Sequence, residues 1–215
     1  MTSGVIALVL EANPELTWRD VKHILAKTAR QIDDSIAAVS VMLPDGSYIA
    51  EQAWTTNAAG NSFHNWYGFG MIDASAAVAM ARDSYTLLDP FLDTGQFTSD
   101  TISLSIPDNS VTGASDTISV SSGPTTVEAV QITVSAAHSW TGDLAIELTS
   151  PSGTRSVVKN GRDGFGSSED LTNMVLLSNA FYGETVTGNW TIKVVDLEAA
   201  DVGTLTNWHI RVYGR

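Results

Sequence analysis

Four stretches between residues 128 and 212 alternate in polarity with a period of two, and that period fixes the fold class of the second half of the chain. Val130, Ile132 and Val134 alternate with Ala129, Gln131 and Thr133, and Leu144, Ile146 and Leu148 with Ala145 and Glu147. Trp190, Ile192 and Val194 repeat the pattern, as do Trp208, Ile210 and Val212. Successive side chains of a strand point to opposite faces, so each stretch predicts a β-strand with one buried face. Turn sequences separate them: Thr141-Gly142-Asp143, Ser150-Pro151-Ser152-Gly153, Thr187-Gly188-Asn189 and Val202-Gly203-Thr204. Short strands joined by such turns predict a β-sandwich or jelly roll of about 120 residues.

The first half has a different period. Residues 1–12, MTSGVIALVLEA, read as a helix without a polar face, and such a helix belongs inside a larger body. Leaving it half in water would cost about 10 kcal/mol, comparable to the whole stability of a domain, about 5–15 kcal/mol. We therefore expect it to be the end of a segment that starts upstream. Asn13-Pro14 breaks it, and Thr17-Trp18-Arg19-Asp20 predicts a capping box. Trp18, Val21, Ile24 and Leu25 then carry a second helix to about Ala29. Residues 40–66 read as loops and short extended pieces, and Ala74–Arg82 as a third helix capped by Asp73. The pattern changes over residues 85–98. This divides the chain into a helical region, 1–88, and an all-β region, 89–215, with its core from about 97.

Composition narrows the partners. The net charge of −13 argues against nucleic acid or an anionic membrane. It is spread over both halves: residues 1–90 carry 5 basic and 10 acidic side chains, residues 91–215 carry 6 and 14. The absence of cysteine excludes disulfides and thiolate metal sites. No basic segment precedes the apolar run, so it is no signal peptide. At 12 residues it is also too short for a membrane span.

Two sets of residues carry a family resemblance. SGVIALVLEANPELTWRDVKHILAKTA (3–29) and WYGFGMIDASAAV (66–78) resemble the C-terminal end of a subtilisin-like serine protease domain of the kexin branch. In that family the apolar helix follows a Gly-Thr-Ser-x-x-x-Pro motif whose Ser is the nucleophile. Met1-Thr2-Ser3-Gly4 matches the residues after that Pro, so Ser3 is not the nucleophile. VEAVQITVSAAHSWTGDLAIELTSPSGTRSVV (127–158), GNWTIKVVD (188–196) and GTLTNWHIRVYG (203–214) resemble the P domain, or homo B domain, that follows the catalytic domain in this family. The resemblance implies a remnant of a subtilisin-like α/β domain followed by an eight-stranded jelly-roll P domain. It implies that the P domain packs on the catalytic domain of the same protease and stabilises it. It also implies a secreted or cell-envelope serine endopeptidase acting on polypeptides, with the triad Asp, His and Ser upstream. The chain itself is then expected to be inactive, with residues 1–85 loosely packed for want of the central sheet. The other class of function open to it is a non-catalytic binding or adhesion module.

The remaining residues offer no catalytic set. Acyl transfer needs a nucleophile, a base within hydrogen-bond reach and a group orienting the base. His23 reads as facing solvent or a neighbouring loop, His64 as a loop residue, His138 as a structural hydrogen-bonder and His209 as part of a polar strand face. Calcium is the one cofactor worth weighing. Asp143, Asp196 and Asp201 lie at turns near strand ends, where carboxylates and carbonyls can converge on the ion; turn capping and solvated charge are the other reading. Asn189-Trp190-Thr191 is a formal glycosylation sequon, read here as the start of a strand. Trp190 and Trp208 fall on apolar faces and belong to the core, whereas Trp140 lies in a loop, available for contact.

Overall fold

The computed structural model describes residues 2–83, 85–99, 102–162 and 169–215, so Met1 of the opening segment lies outside it. The first region holds three helices, α1 (Thr2–Ala12), α2 (Trp18–Thr28) and α3 (Ala74–Arg82). Helix α2 starts at the predicted capping box. The Thr17 hydroxyl accepts from the Asp20 N–H at 3.3 Å, and the Asp20 carboxylate accepts from the Thr17 N–H at 2.8 Å. The Asp73 carboxylate caps α3 by accepting from the Ala76 N–H at 2.9 Å. The helices share a small core of Val9, Leu16, Val21, Ile24, Ala77 and Ala81. Helix α1 is not enclosed as its composition predicts. Within it only Val9 is buried, and Leu8 and Leu10 are 50% and 37% exposed, because α2 and α3 are the elements of this chain that pack on it. Residues 39–63 form two hairpins, β1 (Val39–Leu43) with β2 (Gly46–Glu51) and β3 (Thr55–Thr56) with β4 (Ser62–Phe63).

The second region is a sandwich of antiparallel strands. The four-stranded sheet has the order β11 (Arg155–Lys159), β10 (Leu144–Thr149), β13 (Gly188–Asp196), β8 (Ala114–Val120). The other sheet runs β12 (Leu171–Ser178), β9 (Val127–His138), β14 (Gly203–Gly214). Three short strands, β5 (Leu92–Asp93), β6 (Phe97–Thr98) and β7 (Leu104–Ile106), pair along the far side of β14. Strands β7 to β14 are the eight of the expected jelly roll. Its core lies between the sheets and holds the predicted inward set, Val130, Ile132, Val134, Leu144, Ile146, Leu148, Trp190, Ile192, Val194, Trp208, Ile210 and Val212. The Trp208 indole N–H crosses the sandwich and donates to Asp116 on β8 at 2.7 Å.

Strand β10 departs from the one-sided pattern. Ala145 and Glu147 are buried as well, because the β1–β2 hairpin lays Leu43, Tyr48 and Ala50 over that face, against Ala145, Val195 and Leu197. Residues 1–85 are therefore not loosely packed, as the want of a central sheet led us to expect. They are ordered by docking on the sandwich. The connection between the two is also pinned: the Leu88 N–H donates to Asp20 at 2.8 Å, Arg211 pairs with Asp93 at 2.9 Å, and Phe91 stacks on Tyr213 with ring centroids 6.0 Å apart.

Candidate functional site

Chemistry-bearing side chains concentrate at the seam where the two regions meet. At its centre is Glu128, the second residue of β9, which is 3% exposed. Arg19, on the second position of α2, presents its guanidinium edge-on, with Nε and Nη2 donating to the two carboxylate oxygens. This two-pronged geometry suits arginine and cannot be reproduced by lysine. The third prong, Nη1, donates to the Asp89 carbonyl at 2.9 Å. Arg215 reaches the same carboxylate at 3.3 Å, and Lys22, one turn along α2, donates to the Glu128 carbonyl at 3.1 Å and to Asn179 at 3.0 Å. Burial pushes the Glu128 carboxyl up, but the hydrogen bonds and charges of Arg19 and Arg215 outweigh it and hold it below the usual carboxylate range.

A second cluster surrounds Tyr182. His23, on the next position of α2, bonds through Nδ1 to the Tyr182 hydroxyl at 2.8 Å. Burial, with the cations Arg215 and Lys27 nearby, pushes the His23 imidazole down to about 4. The turn Asn57–Asn61 reads the backbone beneath it. The Asn57 amide donates to the carbonyls of Ala180 and Tyr182 at 2.8 and 2.9 Å, and the Asn61 amide donates to the Tyr182 carbonyl at 2.5 Å. This arrangement carries a pH dependence. A base whose folded pKa lies below its unfolded value adds stability above the unfolded value, near 6.5, and loses it as pH falls toward the folded value. We expect stability to fall from about pH 6.5 to about pH 4, and expect His23→Gln to flatten that slope in urea titrations at stepped pH.

The third part of the seam closes the edge of β11. The Gln52 side chain accepts from the Val157 N–H at 2.8 Å and donates to the Arg155 carbonyl at 3.0 Å, in the manner of a neighbouring strand. The Asn65 amide donates to the Val157 carbonyl at 2.8 Å. Beside them the Tyr48 hydroxyl donates to Glu147 at 3.0 Å, and Arg155 pairs with the same carboxylate while lying 5.2 Å from the centre of the Tyr48 ring.

The sequence-predicted candidates lie elsewhere, at one end of the sandwich. Asp143 sits in a 3-10 turn before β10, Asp196 ends β13 and Asp201 follows it in the next loop. The buried Asp196 carboxylate meets His138 Nε2 at 3.3 Å and accepts the Glu198 N–H at 3.1 Å, and Asp201 accepts the Ser139 hydroxyl at 2.6 Å. Burial pushes both the Asp143 and Asp196 carboxyls up. Among the described residues, no group of three or more His, Asp or Glu side chains is placed to hold a metal ion.

His138 is the structural hydrogen-bonder predicted, bonding also to Trp140 at 2.8 Å. His64 is buried, with Nδ1 accepting from the Trp66 N–H at 3.0 Å. His23 faces the neighbouring loop between β12 and β13, through Tyr182, and His209 lies on the face of β14 opposite Trp208 and Ile210, as expected, with its Nδ1 buried. None of the four is hydrogen-bonded to a serine hydroxyl among the described residues. Trp190 and Trp208 are fully buried in the core, and Trp140 is 46% exposed. Asn189 is exposed at the start of β13.

Comparison with known proteins matches residues 1–70 to the Subtilase family and residues 127–212 to the proprotein convertase P-domain. The chain is 33% identical to proprotein convertase subtilisin/kexin type 5 of Rattus norvegicus, over 100% of this chain and 11% of that protein. It is 34% identical to the extracellular serine protease of Aeromonas sobria, over 91% of this chain and 34% of that one. The crystal structure of the Aeromonas sobria serine protease superposes with a TM-score of 0.90 at 31% identity, covering 100% of this chain and 43% of that one. The same protease in complex with its chaperone superposes with a TM-score of 0.91. The chain thus spans between about a tenth and under half of the length of these relatives. With both matches in the same order as the two regions of the fold, the chain is a stretch of subtilase-family sequence joined to a proprotein convertase P domain.

Proposed function

We propose that the chain serves a secreted serine-type endopeptidase as the part that braces its catalytic domain. On this reading the P domain is an intramolecular buttress, and the acyl-transfer groups are carried by protein outside these residues. The observation that carries it is the Glu128 centre. A carboxylate of the sandwich is desolvated and satisfied by Arg19 and by Arg215, while Lys22 holds its main chain. Buried pairs of this kind contribute little net stability over apolar packing, but they tolerate only one partner geometry. They therefore suit a joint that must set two bodies in fixed orientation. Relatives named as proprotein convertases, furin and a secreted Aeromonas protease supply the activity class, and polypeptides are the substrates that class implies. No helix among the described residues is long and apolar enough to cross a membrane.

The test compares this chain with the product of the complete coding region, using dye-labelled casein as substrate. The complete protein should release dye, sensitive to a serine-directed inhibitor, and this chain should release none. Inhibitor-sensitive release by this chain alone would sink the claim that the reacting groups lie outside it. A complete protein inert to casein and to basic-residue peptides would sink the endopeptidase reading.

A further inference from the structure

Asn160 and Gly161 follow β11 directly and form the one Asn-Gly pair of the sequence. The carboxamide of an asparagine lies close enough to the main-chain nitrogen of the next residue for that nitrogen to attack it and close a five-membered ring. A side chain on the attacking residue crowds the approach, and glycine has none. Asparagine is accordingly among the thermolabile residues of proteins. A fold suppresses the reaction when it holds one of the two groups in a hydrogen bond.

Here neither group is held. Among the described residues, nothing is hydrogen-bonded to the Asn160 carboxamide or to the Gly161 N–H. The other asparagines differ. The side chains of Asn13, Asn57, Asn61, Asn65, Asn173 and Asn179 are hydrogen-bonded, and Asn109, Asn189 and Asn207 precede Ser110, Trp190 and Trp208. Asn160 is half-buried and lines a groove of about 480 Å³ beside Trp66, which water can fill. Lys159 adds a charge, its Nζ donating to the Asn160 carbonyl at 3.2 Å. When the Gly161 N–H loses its proton, the negative charge is shared across the peptide with that oxygen, and a cation on the oxygen stabilises it. Packing also requires the glycine. A Cβ on Gly161 would lie 2.7 Å from the Asp143 carbonyl oxygen and 2.7 Å from Leu197 Cδ1.

We propose that Asn160-Gly161 is a site of spontaneous covalent modification, at which the main chain closes to a succinimide and reopens as aspartate or isoaspartate. The Gly161 nitrogen gives its proton to hydroxide and attacks Asn160 Cγ. The Cγ–Nδ2 bond breaks, and Nδ2 takes a proton from water and leaves as ammonia. Water then opens the ring. Opening at Cγ gives aspartate, and opening at the main-chain carbonyl gives isoaspartate, whose backbone runs through the former side chain. In sum one water is consumed and one ammonia released, so the chain exchanges NH for O and gains a negative charge. Isoaspartate also inserts a carbon into the main chain just ahead of Gly161. That displaces Gly161 from its seat on Asp143 and Leu197, and strains the bond from the Arg162 N–H to the Gly142 carbonyl, 2.7 Å long. Leu197 packs under the β1–β2 hairpin, so the modification loosens the seat of the hairpin as the protein ages. The site does not depend on the endopeptidase reading.

The test incubates the intact chain, beside a free peptide of the sequence 157–162, in mildly alkaline buffer. Peptide mapping by mass spectrometry should show the segment spanning residue 160 exchanging NH for O, and hydroxylamine should cut the chain between Asn160 and Gly161 while the ring is present. The folded chain should react within about tenfold of the rate of the free peptide. Asn160→Gln, whose ring would be six-membered, should stay unmodified. Lys159→Met should slow the folded chain by about tenfold, the effect of one unit in the acidity of the N–H, and the same change in the peptide should matter less. A folded chain slower than the peptide by about a hundredfold or more would mean that the fold holds the nitrogen or the carboxamide, and would overturn the proposal. Modification of Asn109 or another asparagine ahead of Asn160 would overturn it too. The isoaspartate form, separated by anion exchange, should melt below the fresh chain; equal melting would overturn the loosening of the hairpin.

Discussion

Glu128→Ala should destabilise the chain by about 3–5 kcal/mol, the usual cost of removing one partner from a buried ion pair. The alanine leaves Arg19 and Arg215 facing each other across a site that burial has stripped of water. Lys22, bonded to the residue 128 carbonyl, adds a third cation. The effect should be selective. The sandwich keeps its own core between the sheets, so denaturation should split into an early loss of the helical region and a later loss of the β region. Circular dichroism at 222 nm, set against the fluorescence of the buried Trp190 and Trp208, separates the two. Glu128→Gln keeps the shape and one hydrogen-bonding oxygen but not the charge, and should fall between wild type and alanine. A single transition shifted by less than 1 kcal/mol would mean that the seam does not hold the regions together.

Trp208→Ala should cost about as much, roughly 3–5 kcal/mol for a large aromatic deleted from a core, but it should act on the sandwich. The indole is fully buried and donates to Asp116 across the sheets. Its removal opens a cavity and also leaves a carboxylate on edge strand β8 without its donor. Trp208→Phe separates the two contributions. It keeps most of the apolar contact and loses only the N–H, so it should cost about 1–3 kcal/mol, the worth of a hydrogen bond to a charged, half-buried acceptor. Urea titration of the three proteins checks the order. A phenylalanine variant as unstable as alanine would mean that the cross-sheet hydrogen bond, and not the packing, carries the energy.

The sandwich was legible because its long strands obey a strict period. The alternation sets Leu144–Thr149 at its observed bounds, and three inward side chains each place β9, β13 and β14. Thr17 and Asp73 were legible as caps for the same reason: the signal is local. Strand β12 was missed because apolar residues fall on both of its faces, Met174 and Leu176 inward, Val175 and Leu177 outward. The seam was illegible for a different reason. Arg19 and Glu128 stand 109 residues apart, and each looks like an ordinary solvated charge in its own stretch. Glu147 sits where the alternation predicts solvent, yet Tyr48 and Arg155 cover it. Period-two reasoning tells which face turns to the sandwich core, and it is silent on a second body that covers the other face. The three candidate aspartates show how far local position carries. They share turns near strand ends in the sequence, while in the fold His138, Ser139 and the Glu198 N–H engage two of them.

Strand β10 has sandwich core on one face and the hairpin on the other, with β11 and β13 at its flanks. Solvent can reach its amides only after one of these covers is lifted. In deuterium exchange the strand would serve as a built-in gauge. Exchange at Ala145 and Glu147 that outruns exchange in the centre of β9 would time the lifting of the hairpin while the jelly roll stays closed. Matched rates would show that the two come apart only together.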